Sequence, residues 1–210
     1  MRIVFFGDSI TAGAKREDYG KDYTYGNGFL GFVAGELLSR DPYGYEIFNS
    51  GIGGNRIVDM YARIKKDVWN LAPDVVNILG GINDVWFEVV HKNGVDIERY
   101  EKIYRAIIED TMKAVPGVKI ILCEPFVLRV AENEEKYDEL LAVKEYARVV
   151  KRLAEEYSLP FFPFQDLFDR KAEEYEPKCW LWDGVHPTRG GAKLMADRWL
   201  EMFRSEIEGK

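Results

Sequence analysis

Cysteine, histidine and glutamine are nearly missing from this chain. Its 210 residues include two cysteines, Cys123 and Cys179, two histidines, His91 and His186, and a single glutamine, Gln165. The cysteines stand far apart and neither belongs to a Cys-x-x-Cys pair, which argues against a structural zinc site and a disulfide framework. Cys123 lies in an apolar run and reads as a small buried hydrophobe. Long apolar runs are lacking too. Ile3–Phe6 is too short for a signal-peptide core or a membrane span. Positive charge is in the minority, with 29 Lys and Arg against 36 Asp and Glu and a net charge of −7. That argues against a sequence-independent grip on DNA or RNA, which neutralises phosphates, and against a membrane-surface helix, which needs a basic face. We read a soluble, cytoplasmic protein with no nucleic-acid or membrane partner, and leave homo-oligomer formation open. The scarcity of glutamine amid many Lys, Arg and Glu leans toward heat-adapted proteins.

What is present is an ordinary globular composition, 47% hydrophobic and 31% charged. No linker, composition break or internal repeat divides it, so residues 1–210 read as one domain with a full core. Short apolar runs alternate with longer amphipathic stretches. Strands are expected at Ile3–Phe6, Glu46–Asn49, Val75–Leu79, Lys119–Cys123 and Pro160–Phe162. Helices are expected at Gly28–Ser39, Ile57–Asn70, Ile97–Ala114, Glu134–Tyr157 and Arg189–Glu206. The strands are almost wholly apolar and so need cover on both faces, as in a parallel sheet. Strand then helix, five times over, predicts an α/β fold: a three-layer α/β/α sandwich on a five-stranded parallel sheet. The segment Gly13–Asn27, with Tyr19, Tyr23 and Tyr25, is too polar and glycine-rich for regular structure, and reads as a site rim or an exposed loop. Glu132–Glu135 reads as a solvated loop and helix start.

In open α/β sheets, ligands bind beyond the carboxyl ends of the strands. Gly7-Asp8-Ser9-Ile10-Thr11 follows the first strand, Ser50-Gly51-Ile52-Gly53-Gly54-Asn55 the second, and Gly80-Gly81-Ile82-Asn83-Asp84 the third. With the flavodoxin-like strand order 2-1-3-4-5, these three loops are neighbours. Ser9 then sits at a sharp turn with its hydroxyl aimed out of the sheet. A serine hydroxyl is a weak nucleophile until a base takes its proton. His186, in Trp182-Asp183-Gly184-Val185-His186-Pro187, is the candidate base, with Asp183 close enough to orient its ring. His91 has no nearby carboxylate and reads as a surface-loop residue. Each feature alone has a plain explanation: a turn serine, a helix cap, a tight glycine turn. Together they supply a nucleophile, a base, an orienting acid and amide donors.

In these residues the sequence resembles the SGNH hydrolases, also called GDSL esterases. Gly7-Asp8-Ser9 resembles the family's first block, Gly54 the second block's glycine, Asn83 the third block's asparagine, and Asp183 with His186 the last block's Asp-x-x-His. The resemblance implies the flavodoxin-like sandwich and a Ser9-His186-Asp183 triad. It implies an oxyanion hole from the Ser9 and Gly54 backbone N–H groups and the Asn83 side-chain amide, with Asp8 tethering the Ser9 loop by hydrogen bonds. No metal or organic cofactor is implied. The stretch Gly81–Trp86 with Leu181-Trp182-Asp183 looks most like bacterial acetylxylan-esterase and carbohydrate-deacetylase members. That likeness implies a small-molecule ester substrate, an acetylated sugar or oligosaccharide, with Trp86 and Trp182 as the substrate contacts; otherwise both are core tryptophans. Among rivals, an ordinary α/β-hydrolase wants Gly-x-Ser-x-Gly, but residue 11 is Thr11. A dinucleotide fingerprint needs a glycine where Arg56 stands. A non-catalytic carbohydrate-binding relative would lack a triad member, and a thioesterase or lysophospholipase would need a longer acyl pocket.

Overall fold

The apolar runs become the strands of one parallel sheet. The computed structural model describes residues 1–209. Its strands are β1 (Arg2–Gly7), β2 (Glu46–Gly51), β3 (Val75–Leu79), β4 (Lys119–Cys123) and β5 (Phe161–Phe162), in the order β2-β1-β3-β4-β5. The expected order is therefore present. Ile3, Val4, Phe5 and Phe6 are all fully buried, because β1 lies centrally and helices cover both faces. One layer contains α2 (Phe29–Arg40), which packs on α9 (Arg189–Phe203). The other contains α3 (Ile57–Asp67), α5 (Ile97–Ala114) and α7 (Val143–Tyr157), each packed on the next. Nearly all the buried apolar side chains form one continuous cluster. In it, Trp199 stacks on Phe203 with ring centroids 4.6 Å apart, and its indole N–H donates to Asn77 at 2.8 Å.

Register aligns the functional ends of the strands. Gly7 pairs with Gly51 on one side and with Leu79 on the other. The residues that follow β1, β2 and β3 thus leave the sheet at one level. Gly7 itself has no room for a side chain, since a Cβ there would lie 2.4 Å from the Leu79 carbonyl oxygen.

Several expected elements differ. The helix expected at Ile57–Asn70 ends at Asp67, and the chain goes on as a 3-10 turn, Trp69–Leu71, because Val68 leaves helical geometry at φ −131°. The helix expected at Glu134–Tyr157 is three pieces: a 3-10 turn (Ala131–Lys136), α6 (Tyr137–Leu140) and α7. Between the last two the backbone tightens, and the Ala142 N–H donates to Glu139 O at 3.2 Å, three residues back. This lets Leu140 and Val143 both reach the core. The last helix ends at Phe203, and a π turn carries Arg204–Glu208. Three unforeseen helices are the one-turn α1 (Ser9–Ala12), α4 (Ile82–His91) and α8 (Gln165–Glu174). His91 accordingly ends a helix rather than sitting in a loop. Residues 13–27 contain two short 3-10 turns, Glu17–Tyr19 and Lys21–Tyr25. Tyr25 anchors that segment in the core, while Tyr19 and Tyr23 face solvent. Among the described residues, no helix is long and apolar enough to cross a membrane.

Candidate active site

Ser9 opens a one-turn helix, α1 (Ser9–Ala12), directly after β1. Asp8 caps it, with Oδ1 accepting from the Ile10 N–H at 2.9 Å. Gly13, at φ 53°, ends the turn in the left-handed region. The chain therefore turns sharply after the sheet and fixes the serine at its rim. At the other end of the sequence, residues 181–187 form a loop closed by a bridge between Leu181 and Pro187. Gly184 adopts φ 85° there, a conformation that favours glycine. Asp183 Oδ1 accepts from the backbone N–H groups of His186 at 2.7 Å and Val185 at 3.0 Å. Its Oδ2 lies 2.7 Å from His186 Nδ1, and His186 Nε2 lies 2.8 Å from Ser9 Oγ. A hydroxyl, an imidazole and a carboxylate thus form one line of hydrogen bonds, the set that activates a serine oxygen.

The local charges fit that line. The hydrogen bond to Asp183 holds the His186 imidazole above its ordinary 6.5, against the opposing pull of burial. Burial alone would raise the Asp183 carboxyl, but hydrogen bonds from the His186 side chain and backbone outweigh it and hold the group low.

Ser9 and His186 lie between two cavities. One, of about 250 Å³, is also lined by Gly54, Ile82, Asn83, Trp86, Phe87 and Val185. The other, of about 230 Å³, runs beside Ala14, Asn27, Gly28, Trp182 and Pro187. Asn83 sits in the first turn of α4. Its Nδ2 donates to Asn55 O at 3.1 Å, which leaves one amide hydrogen for the cavity it lines. Gly54 adopts φ 77°, which favours glycine. Trp86 is only partly buried, and Trp182 is 51% exposed. Neither is a fully buried core tryptophan. Trp182 stacks on His186 with centroids 5.8 Å apart and an interplanar angle of 21°.

Asp8 makes one tethering hydrogen bond rather than several: its Oδ2 is buried without a partner. Burial pushes this carboxyl up to about 6.

Two residues that sequence reasoning passed over hold the loops together. Arg63 reads in the sequence as one more charge on an amphipathic helix. Its guanidinium donates to Gly7 O at 2.8 Å, Ser50 O at 2.8 Å, Asp67 Oδ2 at 2.8 Å and Asn55 Oδ1 at 2.6 Å, and lies over the Phe6 ring. It therefore ties the end of β1 to that of β2, and through Asn55 to Asn83. Asp84 accepts from the Ile57 N–H with both carboxylate oxygens, at 3.0 and 3.2 Å. It docks the start of α4 on the start of α3, and burial pushes its carboxyl up to about 8. A charged residue beside Asn83 and a strand end was the available signal. Arg63 offered none, because the two partners that tie the strand ends together are the backbone carbonyls of Gly7 and Ser50.

Comparison with known proteins places the chain in a family. A model of the GDSL-like lipase/acylhydrolase family matches residues 5–194. The chain belongs to that family. It is a serine carboxylic ester hydrolase on the α/β scaffold shared by other GDSL hydrolases. It is 34% identical over 206 residues to an acetylxylan esterase of Geobacillus stearothermophilus, covering 95% of this chain and 92% of that protein. A crystal structure of an acetylxylan esterase from the same organism superposes with a TM-score of 0.83 at 31% identity, covering 96% and 93% of the two chains. A variant from that organism is described as an acetyl-xylooligosaccharide esterase. A protein of Parabacteroides merdae assigned as a GDSL-like lipase superposes with a TM-score of 0.88 at 33% identity, covering 96% and 94%.

Proposed function

We propose that this GDSL hydrolase removes acetyl groups from carbohydrates through an acyl-enzyme on Ser9. The observation that carries the reading is the line Asp183–His186–Ser9 running to a cavity that Asn83 and Gly54 also line. Ser9 Oγ attacks the ester carbonyl while His186 Nε2 takes its proton. The carbonyl oxygen becomes an oxyanion held by the Ser9 and Gly54 N–H groups and the Asn83 amide. The C–O bond to the sugar breaks as His186 returns the proton to the departing alcohol oxygen. Water, activated by His186, then attacks acetyl-Ser9 and releases acetate. Asp183 holds the imidazole tautomer throughout.

The acyl group goes to the cavity walled by Ile82, Trp86, Phe87 and Val185, where these apolar side chains surround a methyl group. The sugar goes to the other side, where the exposed Trp182 ring offers a flat apolar face and an N–H donor. The similarity to acetylxylan esterases supports the same choice. Acyl esters of increasing length, run beside acetylated sugars, test it. Acetyl should be fastest, and faster turnover of octanoyl than acetyl esters defeats the acetyl assignment in favour of a lysophospholipase-like or thioesterase-like activity.

Asn83→Ala should lower kcat by about 100- to 1000-fold with little change in KM, because its remaining amide hydrogen donates where negative charge develops in the transition state. Steady-state kinetics on 4-nitrophenyl acetate measure this, and a rise in KM alone would make Asn83 a substrate binder.

A further inference from the structure

A third cavity, of about 300 Å³, takes no part in the chemistry above. It adjoins the cavity beside Trp182, and Asn27 and Gly28 line both. Its wall includes the outer side of α2, where Phe32 is half-buried and Gly35 is exposed. Arg189 stands three residues beyond His186. Its guanidinium lies over the Phe32 ring, 5.4 Å from the centroid, and reaches Asn27 Oδ1 at 3.5 Å. Asp22 adds a carboxylate to the same lining.

The glycines of α2 are informative. Glycine inside a helix weakens it relative to alanine. Packing accounts for Gly31, where a Cβ would lie 2.4 Å from the Gly26 carbonyl oxygen. It does not account for Gly35, where an added Cβ would meet nothing within 4 Å. The result of Gly35 is an open wall in the cavity. The chemistry of that wall is mixed: an aromatic ring, a guanidinium donor, and carboxylate and amide acceptors. An anion would meet Asp22 and a cation would meet Arg189. A neutral ring with hydroxyls and an apolar face can use all of them.

We propose that this cavity is a subsite for a second sugar ring, so that the chain acts on acetylated oligosaccharides in preference to acetylated monosaccharides. The proposal rests on the reading that Ser9 deacetylates carbohydrate. The sugar bearing the acetyl group lies beside Trp182, and the next ring passes Asn27 and Gly28 to lie along the open wall at Gly35, between Arg189 and Asp22, the Phe32 ring being covered by the Arg189 guanidinium.

The test compares three substrates, 4-nitrophenyl acetate, acetylated methyl xyloside and acetylated xylobiose, on wild type and Gly35→Gln. Glutamine favours the helix and projects into the cavity, so the variant should fold at least as well as wild type, which a thermal melt checks. Wild type should turn over acetylated xylobiose with a kcat/KM about tenfold above acetylated methyl xyloside, the size of one good hydrogen bond. Gly35→Gln should abolish that preference through KM while leaving the other two substrates within about twofold. Equal use of one-ring and two-ring substrates by wild type, or an unchanged preference in Gly35→Gln, overturns the subsite and leaves the deacetylase reading standing. Turnover of 4-nitrophenyl acetate with neither sugar acetate touched overturns the carbohydrate reading and the subsite with it.

Discussion

Ser9→Ala is expected to lower kcat on 4-nitrophenyl acetate by about a millionfold, the loss seen when the nucleophile of a serine hydrolase is removed. The loss should be chemical and not structural. Ser9 occupies the first position of α1, the cap comes from Asp8, and among the described residues the only side-chain partner of Ser9 Oγ is His186 Nε2 at 2.8 Å. Alanine suits a first helical turn, so the melting temperature should stay close to that of wild type. Rapidly quenched wild type should carry an acetyl group on the peptide containing Ser9, and the variant none. Activity above about one hundredth of wild type in the variant would remove the serine mechanism.

The second large effect is expected at Asp183. Asp183→Asn should lower kcat/KM by about 10⁴-fold, as replacing the buried acid of a triad does in serine proteases. Asparagine keeps an Oδ1 for the His186 and Val185 N–H groups, so the 181–187 loop should hold its shape. What it changes is the tautomer. An amide N–H facing His186 Nδ1 pushes the ring proton to Nε2, where it faces Ser9 and cannot accept the hydroxyl proton. The pH profile carries a second signature. His186 must be neutral to act as base, so the rate rises with pH as the imidazole loses its proton. The hydrogen bond to Asp183 holds that group above 6.5, so the wild-type midpoint should lie above 6.5. Without that carboxylate the midpoint should fall. Rates measured between about pH 5 and 9 check both points, since they bracket the His titration range. A variant within tenfold of wild type would remove Asp183 as the orienting acid, and a wild-type profile flat across that range would end His186 as base.

How much of this was legible in the sequence differs by element. The five strands were, because strands covered on both faces must be almost wholly apolar and each stands out between polar stretches. The Ser9, Asp183 and His186 cluster was legible because a strand end, a rare histidine and a nearby carboxylate are each local signals. Helix α4 was not. Its start, Gly81, offers no side-chain cap, and Ile82-Asn83-Asp84 looks like loop chemistry after two glycines. What fixes that start is a contact across the molecule: Asp84, in the first turn of α4, accepts from the Ile57 N–H at the start of α3. Helix α8 follows Phe164, which provides no cap either; Glu124 instead accepts from the N–H groups of Phe164 and Gln165 at 2.8 Å. The break between α6 and α7 has no glycine or proline to announce it and arises from core packing of Leu140 and Val143. Arg63 was hidden for a related reason, since its bonds to the main-chain oxygens of Gly7 and Ser50 leave no pattern in residue types.

The pairing of Ser9 with His186 joins positions 177 residues apart. Any refolding species that has formed its sheet but has not yet seated the 181–187 loop holds a serine without its base. Hydrolysis is then a late reporter: during refolding, catalysis should return with docking of that loop, after far-ultraviolet ellipticity has recovered.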